Sequence, residues 1–551
     1  MSGEQKKNNN SFLIQGVILA VAGIITRLIG IAYRIPVNNI LGDEGQGFYG
    51  CAFSIYNIAL LLTSYSLPLA VSKLVSARIS TKEYKNASRI LKGAFVFAAV
   101  VGALVGIIVY LGSNFIAGNI MSLKLSAYAL RVLAPGLFIV AIMGVLRGFF
   151  QGMGTMVPTA VSQIVEQIVN AIVSIIGASY LLEMGKKAAE AETNPSLPFA
   201  YGAAGGTLGT LLGAVSGLLF LLVVLKAFYP KFQRRLRKDH TTAVESYQDI
   251  AKILMLTIAP VILSTAIYNI SETLDQGIFS NIMISQGYTE REIAGYLGMF
   301  TGKYNTLINI PLAIANALGA SLIPSLTATV ASGTRKEIHE KINMVIRFTM
   351  IIAIPCFVGF LVLPSEILSL LYTGEIAIPA KMLQLGAITV VFYCLSTVTN
   401  AILQGVNKMT TPVKHGAISL GIHLAALFIM LKVMKWGIYA VVGGNIVFSL
   451  SMCILNAREL SRATKYRQEY KKTFLIPFEA AALMGVFTYA ANQLMIRLLP
   501  DKISTILACM IAAAFYGVAL IGLGGLTAEE IEAFPMGTKL HKILRKMRLM
   551  D

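Results

Sequence analysis

Stretches of about 20 apolar residues recur along the whole chain of 551 residues, separated by short charged or Gly/Pro-rich breaks. A bilayer core is crossed by roughly 20 helical residues, so each stretch is long enough to span it. Hydrophobic residues make up 56% of the sequence and charged residues 13%, whereas soluble proteins are about a quarter charged. The pattern predicts an all-α polytopic membrane protein with about 14 transmembrane helices. The predicted spans are 12–40, 47–72, 92–118, 124–150, 158–182, 198–226, 251–274, 293–326, 341–371, 379–406, 412–431, 436–457, 474–498 and 503–525.

Basic residues indicate how these spans are oriented. If the N-terminus lies in the cytoplasm, most of the 46 Lys and Arg fall on the cytoplasmic side, including the clusters KFQRRLRK (231–238) and RKMR (545–548). Such an excess is the usual mark of the inner side of a membrane protein. The net charge of +19 therefore reflects topology and contact with anionic membrane lipids, and no nucleic-acid partner is expected. We expect a multi-pass protein of the cytoplasmic membrane with both termini in the cytoplasm.

Two landmarks of the first half of the chain recur in the second half. GCAFSIYN (50–57) resembles GMFTGKYN (298–305), each followed by a PLA tripeptide, and QGMGTMVP (151–158) resembles QGVNKMTTP (404–412). Their spacing indicates a duplicated six-helix unit. Since six is even, both copies enter the membrane in the same direction, as in transporters whose substrate site lies between two lobes. The predicted parts are an N-terminal six-helix lobe (1–226), a cytoplasmic linker (227–250), a C-terminal six-helix lobe (251–458), a cytoplasmic loop (459–473), a C-terminal helix pair (474–525) and a basic cytoplasmic tail (526–551).

The first helix carries Arg27 and Arg34, which are seven residues apart and therefore share one face. An arginine at the centre of a bilayer costs roughly 2.5–3.5 kcal/mol on insertion scales. Guanidinium groups stay protonated and bind phosphate through two parallel hydrogen bonds. The pair therefore predicts a binding site for an anionic, phosphorylated substrate. The alternative is an ion pair or a helix–helix contact inside the protein.

Two other polar faces are predicted to line a water-filled cavity, formed by Gln163, Glu166 and Asn170 in the fifth span and by Asn305 and Asn309 in the eighth. Glu166 either pairs with Arg27 or binds a coupling cation. The amides either face the cavity or form buried hydrogen bonds within the protein.

Three further positions, Asn38, Lys303 and His423, are weaker candidates for the cavity or for gating. Asn38 lies on the face of Arg27 and Arg34. Lys303 is about 200° around a regular helix from Asn305, so either the helix is irregular there or Lys303 serves another surface. His423 either carries a proton or packs in the interior.

No enzyme signature is present. The sequence has no GxxxxGK[ST], HExxH or GxSxG motif, and its five cysteines show no metal-ligand spacing. We expect no catalytic residue, no metal and no cofactor. Transport would draw on a coupling monovalent cation, the membrane potential or the gradient of the substrate itself.

Four segments resemble the multidrug/oligosaccharidyl-lipid/polysaccharide exporter superfamily: RLIGIAYRIPVNNILG (27–42), PLAVSKLVS (68–76), RGFFQGMGTMVPTAVSQIVEQIVN (147–170) and ALGASLIPSLT (317–327). The resemblance is to its polysaccharide biosynthesis branch, which contains lipid II flippases and the stage V sporulation protein B group of Gram-positive bacteria. It implies a bacterial flippase that moves undecaprenyl-pyrophosphate-linked peptidoglycan precursor (lipid II) to the outer leaflet by alternating access, with the cell-wall synthesis machinery as a candidate partner. Arg27 and Arg34 match arginines used toward the pyrophosphate, and the last helix pair matches a groove for the undecaprenyl tail.

Other functions stay open. A flippase for another lipid-linked glycan, such as a capsule, teichoic acid or spore-cortex precursor, would need the same arginines. A cation-coupled multidrug exporter usually has twelve helices and acidic intramembrane sites, so the arginines and the extra helix pair count against it. A membrane-embedded transferase would need a cluster of carboxylates or His and Asp, and a non-transporting scaffold would not need the polar faces.

Overall fold

The computed structural model describes the backbone of residues 3–526 and the side chains of 15, 18, 19, 21–259, 262, 270–323, 325–331 and 333–526. The predicted tail beyond residue 526, with the RKMR cluster, lies outside the described residues. Every regular element in the described range is helical. The elements are α1 (Gly3–Thr63), α2 (Leu67–Ser80), α3 (Tyr84–Phe115), α4 (Ser126–Gly152), α5 (Val157–Glu192), α6 (Leu197–Arg237), α7 (Tyr247–Ser285), α8 (Glu290–Gly298), α9 (Asn305–Ser332), α10 (Arg335–Val362), α11 (Pro364–Leu371), α12 (Ala377–Gly386), α13 (Ile388–Gly405), α14 (Thr411–Lys432), α15 (Ile438–Thr464), α16 (Ile476–Met495), α17 (Asp501–Gly522) and the π-helical segments Ile116–Ile120, Met299–Tyr304 and Lys471–Leu475.

The helices confirm the predicted class of protein. Within the described part of the chain, 12 helical segments are long and apolar enough to cross a membrane. One of them, Val21–Ser80, contains the predicted span 47–72 and most of the span 12–40. Helix α7, which overlaps the seventh predicted span, is not among the 12. Each predicted span overlaps an observed helix, while the count of fourteen stays a prediction.

Several boundaries differ from the predicted ones because proline begins a new helix. The predicted span 47–72 is interrupted after Thr63, and α2 begins with Pro68 in its first turn. The predicted span 341–371 is likewise divided, because α11 begins at Pro364. Proline lacks a backbone N–H and is favoured in the first turn of a helix, where that donor has no partner. Hydropathy alone does not resolve such breaks.

The chain reverses direction at Gly42, which lies between the first two predicted spans. Its φ of 63° falls in the left-handed region, which glycine adopts without strain. A Cβ added at Gly302 would lie 2.0 Å from Nδ2 of Asn38 and 2.5 Å from Cγ of Gln46. These two residues would be about 12 Å apart along a straight helix. Both can approach Gly302 only because α1 turns back on itself.

The chain divides into two compact units, residues 1–302 and residues 303–551. The first unit contains α1 to α8, and the second contains α9 to α17. The six-helix lobes inferred from the sequence repeat stay a prediction. The two copies of the first repeated landmark nevertheless meet within the first unit, since a Cβ at Gly50 would lie 2.7 Å from the Thr301 hydroxyl.

In the first unit, α5 and α6 pack backbone to backbone. A Cβ added at Gly205 would lie 2.0 Å from the carbonyl oxygen of Gly177, and one at Gly209 would lie 2.0 Å from the Ser174 hydroxyl. That hydroxyl is 2.9 Å from the carbonyl oxygen of Gly206. Small residues permit this close approach. In lipid no hydrophobic effect drives helices together, so close packing of this kind stabilises their association.

The predicted linker 227–250 is partly helical, because α6 continues to Arg237 and α7 begins at Tyr247. The segment between them, residues 238–246, is attached to the turn between α2 and α3. The Asp239 carboxylate accepts a hydrogen bond from the backbone N–H of Lys85 (2.6 Å), and Glu245 forms an ion pair with Arg78. The linker is therefore fastened to the first unit.

This attachment is expected to depend on pH. Burial opposes ionisation of Asp239, but hydrogen bonds from Thr241 and Lys85 outweigh it and lower the pKa of the Asp239 carboxyl below its ordinary value. A carboxyl with a depressed folded-state pKa stabilises the folded state above its unfolded pKa, about 4, and that contribution is lost as the pH falls through the folded pKa. We expect residues 238–246 to resist proteolysis at pH 7 and pH 5 and to become progressively more susceptible as the pH falls below the unfolded pKa of about 4.

The variant Asp239→Asn weakens the same bonds and is expected to increase cleavage of this segment severalfold at pH 7. The matched control is Glu183→Gln, because Glu183 is exposed and pairs only with Lys186 of its own helix among the ion pairs of the described residues. Equal cleavage of Asp239→Asn and wild-type protein would contradict the prediction.

Candidate functional site

Arg34 presents an accessible positive charge on the first half of α1. Its side chain is exposed, whereas its neighbours Tyr33 and Val37 are 7% and 3% exposed. Its charge interacts with Tyr49 from the second half of α1 and with the carboxylate of Glu272 on α7. The reversal at Gly42 explains the contact with Tyr49, because it returns the chain to the depth of Arg34. The guanidinium is thus accessible and interacts electrostatically with a carboxylate from another helix.

Arg27 lies two turns from Arg34 on the same helix, farther from Gly42, and its side chain is also exposed. Asn38 differs, since it is 2% exposed and lies against Gly302 in the π-helical segment Met299–Tyr304. Its amide nitrogen finds no hydrogen-bond partner among the described residues. The side chains of the two arginines are therefore exposed in this structure, whereas Asn38 lies in a packed contact.

Asn170 connects α5 to the arginine helix. It is 6% exposed, and its Nδ2 donates a hydrogen bond to the Tyr33 hydroxyl at 3.2 Å. Its Oδ1 accepts a hydrogen bond from the Ser174 hydroxyl at 3.0 Å. Of the two interpretations of this amide, the structure displays the buried hydrogen bonds, which hold the residue preceding Arg34 against α5. Gln163 on the same helix is half-buried.

Glu166 forms an ion pair with Arg147 of α4, not with Arg27. Its Oε2 is 2.7 Å from a terminal guanidinium nitrogen of Arg147, whose Nε also donates to the Ser162 hydroxyl at 3.0 Å. Arg147 lies near the end of the predicted span 124–150, so its position in the sequence does not indicate a pair with Glu166. Only the packing of α4 against α5 brings the two charges together.

Breaking this ion pair is expected to destabilise the first unit. The side chains of Arg147 and Glu166 are only 13% and 22% exposed, so removal of one leaves a poorly solvated charge behind. For Arg147→Met we expect a loss of about 2 kcal/mol in the free energy of unfolding, measured by chemical denaturation in detergent. The variant Lys186→Met, which removes an exposed partner of Glu183, is the control and should change stability by less than about 0.5 kcal/mol.

Lys303 lies in an irregular helix, which is one of the two alternatives that the sequence left open for this residue. The segment Met299–Tyr304 is π-helical, and Nζ of Lys303 donates hydrogen bonds to the carbonyl oxygens of Thr373 (3.1 Å) and Glu375 (2.7 Å). The side chain is 1% exposed. Lys303 therefore joins α9 to the segment between α11 and α12 within the second unit.

The remaining predicted positions differ in accessibility. Asn305 at the start of α9 is half-buried, and Asn309 one turn later is exposed. His423 is fully buried, and its ring lies 5.9 Å from the ring of Phe448 in an edge-to-face contact. A Cβ added at Gly444 would come within 2.7 Å of the imidazole. His423 therefore packs tightly in the second unit.

The sequence prediction missed a polar face on α7. Glu272, Asp275 and Gln276 have the spacing of one helical face, yet the predicted span 251–274 ended within it. Asp275 is 3% exposed and Gln276 is fully buried, whereas Glu272 is exposed. The spacing was the available signal. Its meaning depends on α7 packing against α1, where Oγ1 of Thr273 donates to the carbonyl oxygen of Ser54 at 3.2 Å.

The second unit contains an apolar cavity of about 520 Å³ formed by α10, α11, α16 and α17. Its lining is almost entirely hydrocarbon, and the two helices outside the predicted repeat supply half of its wall. Two thiols, those of Cys356 and Cys509, also face it. The lining residues are Ile351, Ile352, Pro355, Cys356, Gly359, Val362, Leu363, Ile367, Met484, Gly485, Thr488, Cys509, Ala512, Ala513 and Tyr516.

Solved structures identify the class of this fold. A structure of lipid II flippase MurJ in an inward closed conformation matches with a TM-score of 0.66 at 13% identity, covering 91% of this chain and 98% of that chain. The inward-facing conformation of a multidrug resistance MATE family transporter matches with a TM-score of 0.60 at 16% identity, covering 80% of this chain and 96% of that chain. The protein has the polytopic helical fold of these membrane transporters.

Residues 13–330, more than half of the chain, match the polysaccharide biosynthesis protein family, and the protein belongs to that family. Residues 260–429 also match the MatE model. Lipid II flippase MurJ of Bacillus subtilis (strain 168) is 28% identical over 496 residues, covering 87% of this chain and 88% of the relative. Stage V sporulation protein B of the same organism is 22% identical over 526 residues, covering 96% and 98%. The predicted membership of the exporter superfamily is confirmed.

Proposed function

We propose that this protein is a flippase that moves lipid II, an undecaprenyl-pyrophosphate-linked peptidoglycan precursor, from the inner to the outer leaflet of the bacterial cytoplasmic membrane. The observation that carries the proposal is the pair of exposed arginines, Arg27 and Arg34, in a predicted span (12–40) that has no other charged residue. The similarity to lipid II flippase MurJ over most of both chains supports it.

The arginines suit the diphosphate part of such a substrate. A guanidinium remains charged in any dielectric and offers two parallel N–H donors to a phosphate group. The hydrogen bond between Asn170 and Tyr33 limits the motion of α1 beside Arg34. Arg34 is thereby preorganised to bind the headgroup, and alternating access would then expose it to the opposite leaflet.

The apolar cavity of the second unit suits the isoprenoid tail. Its hydrocarbon lining offers no hydrogen bond to a headgroup, and its volume of about 520 Å³ accommodates a segment of a long branched chain. We assign the tail to this cavity between α10, α11, α16 and α17. The assignment gives a role to the two helices that follow the predicted repeat.

Protection of Cys509 tests this assignment. Cys509 lines the cavity and is exposed, so a maleimide is expected to label it in a variant in which the other four cysteines are replaced by serine or alanine. Undecaprenyl pyrophosphate should slow the labelling severalfold by filling the cavity, whereas inorganic pyrophosphate, which has no tail, should not. Equal labelling rates with and without the lipid would contradict the assignment.

Reconstitution tests the function itself. Purified protein in liposomes should transfer fluorescent lipid II to the opposite leaflet faster than protein-free liposomes, and depletion in cells should reduce lipid II in the outer leaflet. The proposal would be refuted if the liposomes showed no transfer and depletion left the amount of lipid II in the outer leaflet unchanged.

The relative stage V sporulation protein B and the match to the MatE model favour two alternative functions. Transfer of a spore-cortex, capsule or teichoic acid precursor in the same liposomes, or export of a cationic drug, would identify them.

The energy source is proposed to be a monovalent cation gradient or the membrane potential, with no bound cofactor. Each can be removed separately from liposomes with an ionophore. The cell-wall synthesis machinery is the proposed partner, because it would consume the transported precursor on the outer surface. Crosslinking in growing cells is the corresponding test.

A further inference from the structure

Two hydrogen bonds of neighbouring residues fix the position of Glu272 of α7 relative to α1. Thr273 donates to the carbonyl oxygen of Ser54 at 3.2 Å, and the hydroxyl of Ser54 donates to Oε1 of Gln276 at 3.3 Å. Ser54 and Gln276 are 4% and 0% exposed, so these contacts hold α7 in one register against α1. The position of Glu272 along its helix is therefore set by buried contacts.

Because the chain reverses at Gly42, the contacts between Ser54 and α7 lie close to the depth of Arg34. Arg34 precedes the turn by eight residues and Ser54 follows it by twelve, so the two differ in depth by about four residues, or roughly 6 Å along a helix axis. A long guanidinium side chain covers that distance. The charges of Arg34 and Glu272 interact, and both side chains are exposed although the residues that position them are buried.

We propose that Glu272 is the counter-charge of Arg34 in the empty protein and that the diphosphate headgroup of the substrate displaces it. This inference rests on the proposed function and adds a residue that determines specificity. An incoming anion gains the attraction of Arg34 only after the attraction between Arg34 and Glu272 is given up. Glu272 therefore competes with every anion that enters the site.

This competition selects by charge and by the number of phosphate oxygens. The phosphodiester of an ordinary anionic phospholipid carries one negative charge, as the Glu272 carboxylate does, and gains little by exchange. A diphosphate carries more charge and presents more oxygens to the guanidinium, so it displaces the carboxylate. Phospholipids vastly outnumber a biosynthetic lipid in the membrane. Weakening the binding of phospholipid headgroups is therefore an effective way to make the site specific for the diphosphate. Return of Glu272 to Arg34 would also favour release of the substrate.

Asp275 is the other acidic group that faces Glu272, and it lies one turn farther along α7. It is 3% exposed and has partners of its own, so it is not available for exchange with a ligand. Asp275 therefore adds a fixed negative charge behind Glu272.

The experiment measures binding of undecaprenyl pyrophosphate to the full-length protein in nanodiscs, made either of phosphatidylcholine alone or with phosphatidylglycerol added. Glu272→Gln keeps the size of the side chain and removes its charge. We expect this variant to bind undecaprenyl pyrophosphate about tenfold more tightly in phosphatidylcholine. We also expect phosphatidylglycerol to compete against the variant at least tenfold more effectively than against wild-type protein. Glu272→Asp, which retains the charge, should keep the wild-type selectivity, and Glu272→Ala, which also removes the charge, serves if Glu272→Gln does not fold.

The inference would be overturned if Glu272→Gln bound undecaprenyl pyrophosphate no more tightly than wild-type protein and phosphatidylglycerol competed equally against both. It would also be overturned if Glu272→Asp lost as much selectivity as Glu272→Gln. The double variant Arg34→Gln/Glu272→Gln separates the two proposals. If Arg34→Gln weakens binding while the effect of Glu272→Gln persists without Arg34, the counter-charge is refuted and the arginine site stands. If wild-type protein binds the diphosphate lipid no better than undecaprenol, the proposed function itself fails.

Discussion

Replacing Arg34 with alanine is expected to abolish growth of a flippase-depleted strain that depends on this protein, although the variant still accumulates in the membrane. The same result is expected for Arg27→Ala. Each change removes a charge-assisted contact to phosphate worth about 1.5–3 kcal/mol, and loss of a bidentate pair lowers transport by about 100-fold. Transport of lipid II in liposomes measures the effect directly. Since both side chains are exposed, their removal leaves no cavity in the core.

Two controls distinguish this loss from a general effect of removing charge. Arg131→Ala removes a half-buried arginine whose Nε donates to the Ser113 hydroxyl at 3.0 Å, so it should change stability but retain transport. Arg34→Lys keeps the positive charge but not the planar fork of donors, and intermediate transport is expected. Normal growth supported by Arg34→Ala would show that the substrate does not bind at this arginine.

Replacing Gly205 with leucine is expected to prevent stable folding of the first unit. The Cβ alone would lie 2.0 Å from the carbonyl oxygen of Gly177, so α5 and α6 would have to separate along their length. Separation would also break the contact between the Ser174 hydroxyl and the Gly206 carbonyl oxygen. We expect a loss of more than about 3 kcal/mol, because overpacking against a backbone atom cannot be relieved by a rotamer change. Melting in detergent and the amount of monodisperse protein measure it.

The matched control is Gly421→Leu. Gly421 also lies inside a spanning helix, but a Cβ there would have no neighbour within 4 Å. The control should melt within a few degrees of wild-type protein. A Gly205→Leu variant that melts with the control would contradict the backbone contact between α5 and α6.

Hydropathy predicted the helices of this protein because the length of an apolar segment and the thickness of a bilayer are both local quantities. The break between the first two spans was also predictable, since Gly42 lies in a short polar stretch between two apolar runs. The angle between Lys303 and Asn305 left two alternatives, an irregular helix or a contact with another surface, and the structure displays both. Each of these inferences needed only residues near one another in the chain.

The partners of the charged residues could not be predicted in this way. The sequence offered Arg27 as the partner of Glu166, and only the packing of α4 on α5 selects Arg147. Glu272 lies more than 200 residues from Arg34, and two hydrogen bonds around Ser54 hold it near the depth of that arginine. Lys303 meets two backbone carbonyl groups, which leave no signature in the identity of the residues that carry them.

The sequence by itself determined that this chain is helical, multi-pass and cationic along its first span. The reason is that burial in lipid and the cost of a charge there act on each segment separately. The tertiary structure alone decided which of the charged side chains stay accessible and which are paired or buried. Such contacts join helices that are distant in sequence, and their geometry depends on how closely glycine-lined backbones approach one another.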